Sequence, residues 1–106
     1  MFELVMDNTI ENGKLRVLLK GEVDISTAPE FKARLYEIVG EGDKDIELFC
    51  EELSYIDSTG LGILVGALKR VKKNENSVYI YRLKDNIKKL FRITGLDKVF
   101  ILEEIA

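Results

Sequence analysis

The densest run of chemistry-bearing residues is Asp57-Ser58-Thr59-Gly60-Leu61-Gly62. Asp57, Ser58 and Thr59 are three good N-cap residues in succession, where a helix uses one. The surplus leaves a hydroxyl near the N-terminus of the helix that follows. Unpaired N–H groups and the helix dipole favour an anion at that place. A phosphoryl group on Ser58 could therefore be held there without large distortion. Gly60 and Gly62 let a second backbone or a bulky group come close, and Gly62 with Gly66, one turn on, permits tight packing against a neighbour. The plainer alternative is that Ser58 only caps the helix and the glycines only serve helix–sheet contact. A second unusual run is Gly21-Glu22-Val23-Asp24-Ile25-Ser26. Asp24 can join a site with Asp57 and Ser58, or it can only accept hydrogen bonds from its own turn; Ser26 and Thr27 read as caps.

Other chemistry is excluded by what is missing. With no His, no Ser-His-Asp or Cys-His nucleophile system exists. One Cys and no His leave no credible zinc site, so no metal and no cofactor is expected. Cys50 lies in an apolar run and reads as a small buried hydrophobe. Gly60-Leu61-Gly62 is followed by Val65, so G-x-G-x-x-G fails, and no Gly-Lys-Ser or Gly-Lys-Thr makes a Walker A loop. A receiver-like acceptor at Asp57 would need an acidic pair after an early strand, and only the isolated Asp24 is there. The net charge of -3 gives no electrostatic reason for binding nucleic acid. The nearest basic block, Lys69, Arg70, Lys72 and Lys73, reads as the solvated last turn of a helix.

The elements that must position these residues follow from periodicity. Phe2–Met6 and Leu15–Lys20 read as strands, with Asn12-Gly13 turning a longish antiparallel hairpin between them. Ala28, Phe31, Leu35, Ile38 and Val39 share a helix face. Thr27-Ala28-Pro29-Glu30 has a capping-box pattern at the helix start, and Gly40 is a natural stop. Ile46–Cys50 is nearly continuous in apolar residues, as a strand covered on both faces would be. A second helix is expected over about Gly60–Lys73, with Leu61, Leu64, Val65, Leu68 and Val71 inward. Val78–Tyr81 is the next strand. A third helix follows Asp85, with Ile87, Leu90, Phe91 and Thr94 inward and Gly95 as its stop. Val99–Leu102 closes as a strand or extended tail. The fold class is α/β: one domain over 1–106, a mixed sheet of four to five strands packed with three main helices. Strand order is left open. If the strands before the two unusual runs are parallel, Asp24 meets Asp57 and Ser58 at one edge of the sheet. With 46% hydrophobic residues the chain can build a core unaided. No secretory leader opens the sequence and no run approaches the roughly 18 apolar residues of a membrane span, so the cytoplasm is the expected compartment.

Three motifs carry a resemblance. Asp57-Ser58-Thr59-Gly60-Leu61-Gly62, preceded by Leu53 and Ile56, resembles the signature of the STAS-domain anti-sigma factor antagonists. Gly21-Glu22-Val23-Asp24 resembles that family's upstream motif. Leu90-Phe91-Arg92-Ile93-Thr94-Gly95-Leu96 resembles its C-terminal helix and turn. The resemblance spans nearly the whole chain. It implies that Ser58 is phosphorylated by an anti-sigma factor that is a serine kinase of the histidine-kinase-like ATPase type. It implies too that the unphosphorylated form binds this kinase and frees the sigma factor, and that a serine phosphatase resets the cycle. Asp24, Asp57, Ser58, Thr59, Gly60, Leu61 and Gly62 would form the partner-binding site. The resemblance leaves open a related role, a STAS signalling scaffold or nucleotide-responsive regulator in which the serine goes unphosphorylated.

Overall fold

The computed structural model describes residues 4–103. In chain order the elements are β1 (Leu4–Glu11), β2 (Lys14–Val23), α1 (Ala28–Val39), β3 (Ile46–Ile56), α2 (Ser58–Lys72), β4 (Val78–Tyr81) and α3 (Asp85–Ile93). A short 3-10 turn (Leu96–Lys98) and β5 (Ile101–Glu103) complete it. The expected α/β alternation is present, with five strands and three α-helices among the described residues. Phe2 and Glu3 of the expected first strand lie outside the described residues. The hairpin is tighter than expected: Glu11 pairs with Lys14, so the loop is Asn12-Gly13 alone, both at positive φ. That is the geometry a two-residue hairpin turn demands of its central residues.

The strands lie in chain order, β1-β2-β3-β4-β5. β1 is antiparallel to β2, and every later pair is parallel. Each parallel step moves in the same direction across the sheet. Right-handed crossovers then put all three helices on one face. Leu15, Val17, Leu19, Ile46, Leu48, Cys50, Val78 and Ile80 point into that layer and are buried. They meet Phe31 and Leu35 of α1, Leu64, Leu68 and Val71 of α2, and Ile87 and Phe91 of α3 in one core. Fully burying such a side chain contributes about 1.5–3 kcal/mol.

Among the described residues the same topology leaves the opposite face without a helix, so β3, buried or half-buried throughout Ile46–Cys50 as expected, is covered on that face by side chains of the neighbouring strands. Glu47 is itself buried there, 5% exposed, under a polar network. Arg16 Nε donates to Glu47 Oε1 at 2.8 Å and the Tyr81 hydroxyl donates to Oε2 at 2.9 Å. Burial opposes the Glu47 charge, but the Arg16 and Tyr81 hydrogen bonds outweigh it and hold the carboxyl below its ordinary value. Burial and the Glu47 bond push the Tyr81 hydroxyl up to about 12. The buried Cys50 thiol is likewise pushed to about 12, too high for a reactive thiolate.

Three smaller expectations also change. Thr27 precedes α1 but its side chain makes no capping hydrogen bond, so the capping box is not formed. Thr94 is exposed, its hydroxyl donating back to Leu90 O at 2.9 Å. Both strands leading to the unusual runs are longer than their apolar cores, so Gly21–Val23 and Leu53–Ile56 belong to β2 and β3 and not to loops. β2 absorbs its added length through register irregularities, one beside Gly21 at φ 108.

Candidate functional site

The site forms where β2 and β3 end together. Val23 pairs with Ile56 in the parallel register, and the Asp57 N–H donates to Val23 O at 3.2 Å. Asp24 and Asp57 are therefore the first residues beyond two adjacent strands, at the same edge of the sheet. The juxtaposition expected from the sequence is present.

Asp57 is the N-cap of α2, in extended backbone, and its Oδ1 accepts from the Gly60 N–H at 3.1 Å. Ser58 and Thr59 are then the first two helical residues, and both are exposed. Because Asp57 does the capping, Ser58 is not the cap. Among the described residues its hydroxyl has no hydrogen-bond partner. The backbone N–H groups of the first turn and the positive end of the helix dipole face the same solvent.

The Asp24 turn is tied down by its own residues. Asp24 Oδ1 accepts from the Ser26 N–H at 2.8 Å, the Ser26 hydroxyl at 2.7 Å and the Thr27 N–H at 3.1 Å. The Thr27 hydroxyl donates to Glu22 O and accepts from the Asp24 N–H, each at 2.9 Å. Thr27 thus locks the chain before α1 where a simple cap was expected. The Ser26 hydroxyl, followed by the backbone bonds, holds the Asp24 carboxyl below its ordinary value, so it is charged at neutral pH. What this rigid turn presents to solvent is Ile25, 81% exposed.

The two glycines have different jobs. A methyl group at Gly60 would lie 2.6 Å from Ile56 Cγ1 and 2.7 Å from Val23 Cγ1, so Gly60 lets the start of α2 sit against the strand ends. Leu61 beside it is buried. Gly60 and Leu61 therefore position the helix start from inside the core. Gly62 is exposed and a methyl group there would meet nothing within 4 Å. It does no packing, unlike Gly66, where a methyl would overlap the Tyr36 hydroxyl of α1. That hydroxyl donates to Ile63 O at 3.0 Å and fixes α2 against α1.

The surface so built holds Asp24, Ile25, Asp57, Ser58, Thr59 and Gly62. Ile25 is the member that sequence reasoning missed. Its only sign was an aliphatic residue between two polar ones in a turn, where no period assigns a face. The arrangement suits reversible binding of a protein surface around one free hydroxyl. No helix among the described residues is long and apolar enough to cross a membrane.

A family model described as the STAS domain matches residues 6–105. The anti-sigma-B factor antagonist of Staphylococcus aureus is 38% identical over 101 residues, 95% of this chain and 94% of the relative. An anti-sigma factor antagonist from Mycobacterium paratuberculosis has the same fold, with a TM-score of 0.84 at 22% identity over 94% of this chain and 85% of that one. The Bacillus cell fate determinant SpoIIAA in its phosphorylated form matches with a TM-score of 0.73 at 18% identity, over 98% and 92% of the two chains.

Proposed function

This chain belongs to the STAS domain family, and on that premise we propose that it is an anti-sigma factor antagonist switched by phosphorylation of Ser58. The unphosphorylated chain binds an anti-sigma factor serine kinase and releases the sigma factor. Phosphate on Ser58 ends that binding, and a serine phosphatase restores it. The domain regulates and does not catalyse, and it works in the cytoplasm. The observation that carries this reading is the Ser58 hydroxyl, exposed and, among the described residues, unbonded at the start of α2, where Asp57 caps the helix.

The energetics fit such a switch. Phosphate adds about -1.5 to -2 charges at neutral pH. Inside the domain the N-terminus of α2 offsets part of that charge, and no existing bond of Ser58 is broken. At the interface nothing offsets it. Asp24 and Asp57 already supply negative charge beside Ser58, so a kinase surface fitted to a free hydroxyl meets bulk and repulsion together. The exposed Ile25 supplies apolar area that a partner can bury, and Gly62 lets the partner approach the helix closely.

The test is phosphate incorporation from ATP with a cognate anti-sigma serine kinase, followed by mapping of the modified residue. Wild type should take up one phosphate, on Ser58, and Ser58→Ala none. Thr59→Ala should still be modified. Incorporation retained in Ser58→Ala and lost in Thr59→Ala moves the acceptor to Thr59. No incorporation with any cognate kinase favours an unphosphorylated scaffold.

A further inference from the structure

Charge is divided unevenly along this chain. Residues 69–98 hold ten Lys and Arg against three acids, Glu75, Asp85 and Asp97, while the rest of the chain holds six against sixteen. Taken residue by residue, Lys69, Arg70 and Lys72 are the exposed last turn of α2, as expected. Taken together with what lies between them, they are more than a solvated turn. A groove runs between the second half of α2 and the 3-10 turn. Its floor is Val65, Leu68, Leu96 and Val99, and its rim is Lys69, Lys72 and Lys73. No acid lines it. Among the described residues none of these three lysines forms an ion pair, whereas Arg16 and Arg82 each have a carboxylate. Val99 is 46% exposed on the floor.

We propose that this groove docks an acidic amphipathic helix of a partner protein, its apolar stripe on Val65, Leu68, Leu96 and Val99 and its flanking carboxylates on Lys69, Lys72 and Lys73. Charge complementarity selects the occupant. A polyanion without an apolar face would leave the floor uncovered, and a neutral apolar segment would leave three ammonium groups unanswered. The groove is walled by a helix and a turn and offers no open strand edge, so an extended peptide has no backbone ladder to join. From Val65 to Lys73 the wall runs about 12 Å, enough for roughly two turns of the incoming helix. Lys69, the rim cation nearest in sequence, lies about 16 Å along α2 from Ser58, and Lys72 about 21 Å. The shorter distance is about twice the Debye length of about 8 Å at physiological salt. Docking here is therefore indifferent to the phosphorylation state of Ser58, and a partner held at this groove stays on the domain through both halves of the cycle.

The test uses a fluorescein-labelled synthetic helical peptide of about fourteen residues, four turns, with a Leu stripe flanked by Glu. The controls are the same peptide with Lys for Glu, vesicles of phosphatidylglycerol and phosphatidylcholine, and duplex DNA. The Glu peptide should raise anisotropy on binding and shift the amide resonances of Val65, Leu68, Leu96 and Val99. Val99→Asp, and separately the pair Lys69→Glu and Lys72→Glu, should each weaken it by about tenfold or more. All three positions are exposed, so these variants keep the fold. Phosphorylated protein should bind within about twofold of the unmodified form. Several results overturn the proposal: no binding by the Glu peptide up to about 1 mM, equal binding by the Lys peptide, shifts that map elsewhere, or indifference to the variants. Variant-sensitive binding of vesicles or DNA in place of the peptide would reassign the groove to that ligand.

Discussion

Replacing Gly62 by alanine should stabilise the domain and impair it at once. Gly62 lies in the interior of α2, where glycine is less favourable than alanine by about 0.8–1.0 kcal/mol. A methyl group there meets nothing within 4 Å, so no steric term opposes the gain. For a domain of this size each kcal/mol moves the midpoint by about 4–8 °C, and the variant should melt roughly 3–8 °C higher. Kinase binding should fall, because the partner loses close approach to the helix. Gly60→Ala is the contrast. Its methyl would sit 2.6 Å from Ile56 Cγ1 and 2.7 Å from Val23 Cγ1, both on stiff β-branched side chains. Overpacking of that kind costs about 1–3 kcal/mol and exceeds the propensity gain, so the midpoint should drop. Thermal unfolding followed by circular dichroism, with calorimetric titration against the kinase, reads both effects. A lower midpoint for Gly62→Ala, or a higher one with unchanged kinase affinity, would refute the claim that this glycine is kept for a partner.

Removal of the cap in Asp57→Ala should destabilise by about 0.5–2 kcal/mol, seen as a lower urea midpoint; an unchanged midpoint means the Gly60 hydrogen bond contributes nothing. Ser58→Ala removes a hydroxyl that bonds to no described residue, so its stability should stay within about 0.5 kcal/mol of wild type, while it binds the kinase without being switched off in the presence of ATP. The Glu47 carboxyl is held below its ordinary value near 4.5, so the unfolded chain binds that proton more readily than the folded one. Its contribution is complete above about 4.5 and is lost as pH falls through the lowered value. Urea midpoints measured down the acid range should therefore fall less steeply in Glu47→Gln than in wild type, and identical profiles would exclude this source.

The parts of the fold that depend on one repeated period were legible. The apolar faces of α1 and α2, the alternation of Leu15, Val17 and Leu19, and the stop at Gly95 all appear where the pattern puts them. The juxtaposition of Asp24 with Asp57 and Ser58 followed from strand direction alone. What was missed depends on groups far apart in sequence. The apolar run of β3 showed a strand covered on both sides but not what covers the helix-free side: Arg16 and Tyr81, from two other strands, which neutralise and cover Glu47. Ser54 and Tyr55 look like loop residues, yet they continue β3 because Gly21 and Glu22 run alongside; the Ser54 hydroxyl donates to Gly21 O at 3.0 Å. Local pattern also could not separate three consecutive capping residues. Extended backbone at Asp57 decides it, and that follows from the ladder bond to Val23. The apolar groove beside α2 needed Leu96 and Val99 brought against a helix some thirty residues earlier, a pairing no local period encodes.

The central claim is that one phosphate on Ser58 decides partner binding without unfolding the domain. Calorimetric titration of the kinase with unmodified and enzymatically phosphorylated chain tests it directly, with the fold of each form checked by its amide spectrum. Loss of affinity by about a hundredfold or more, with the dispersed spectrum of the folded chain retained and shifts confined to the surroundings of Ser58 and Asp24, is the predicted result. Equal affinity of the two forms, or loss of affinity accompanied by collapse of the folded spectrum, would contradict it.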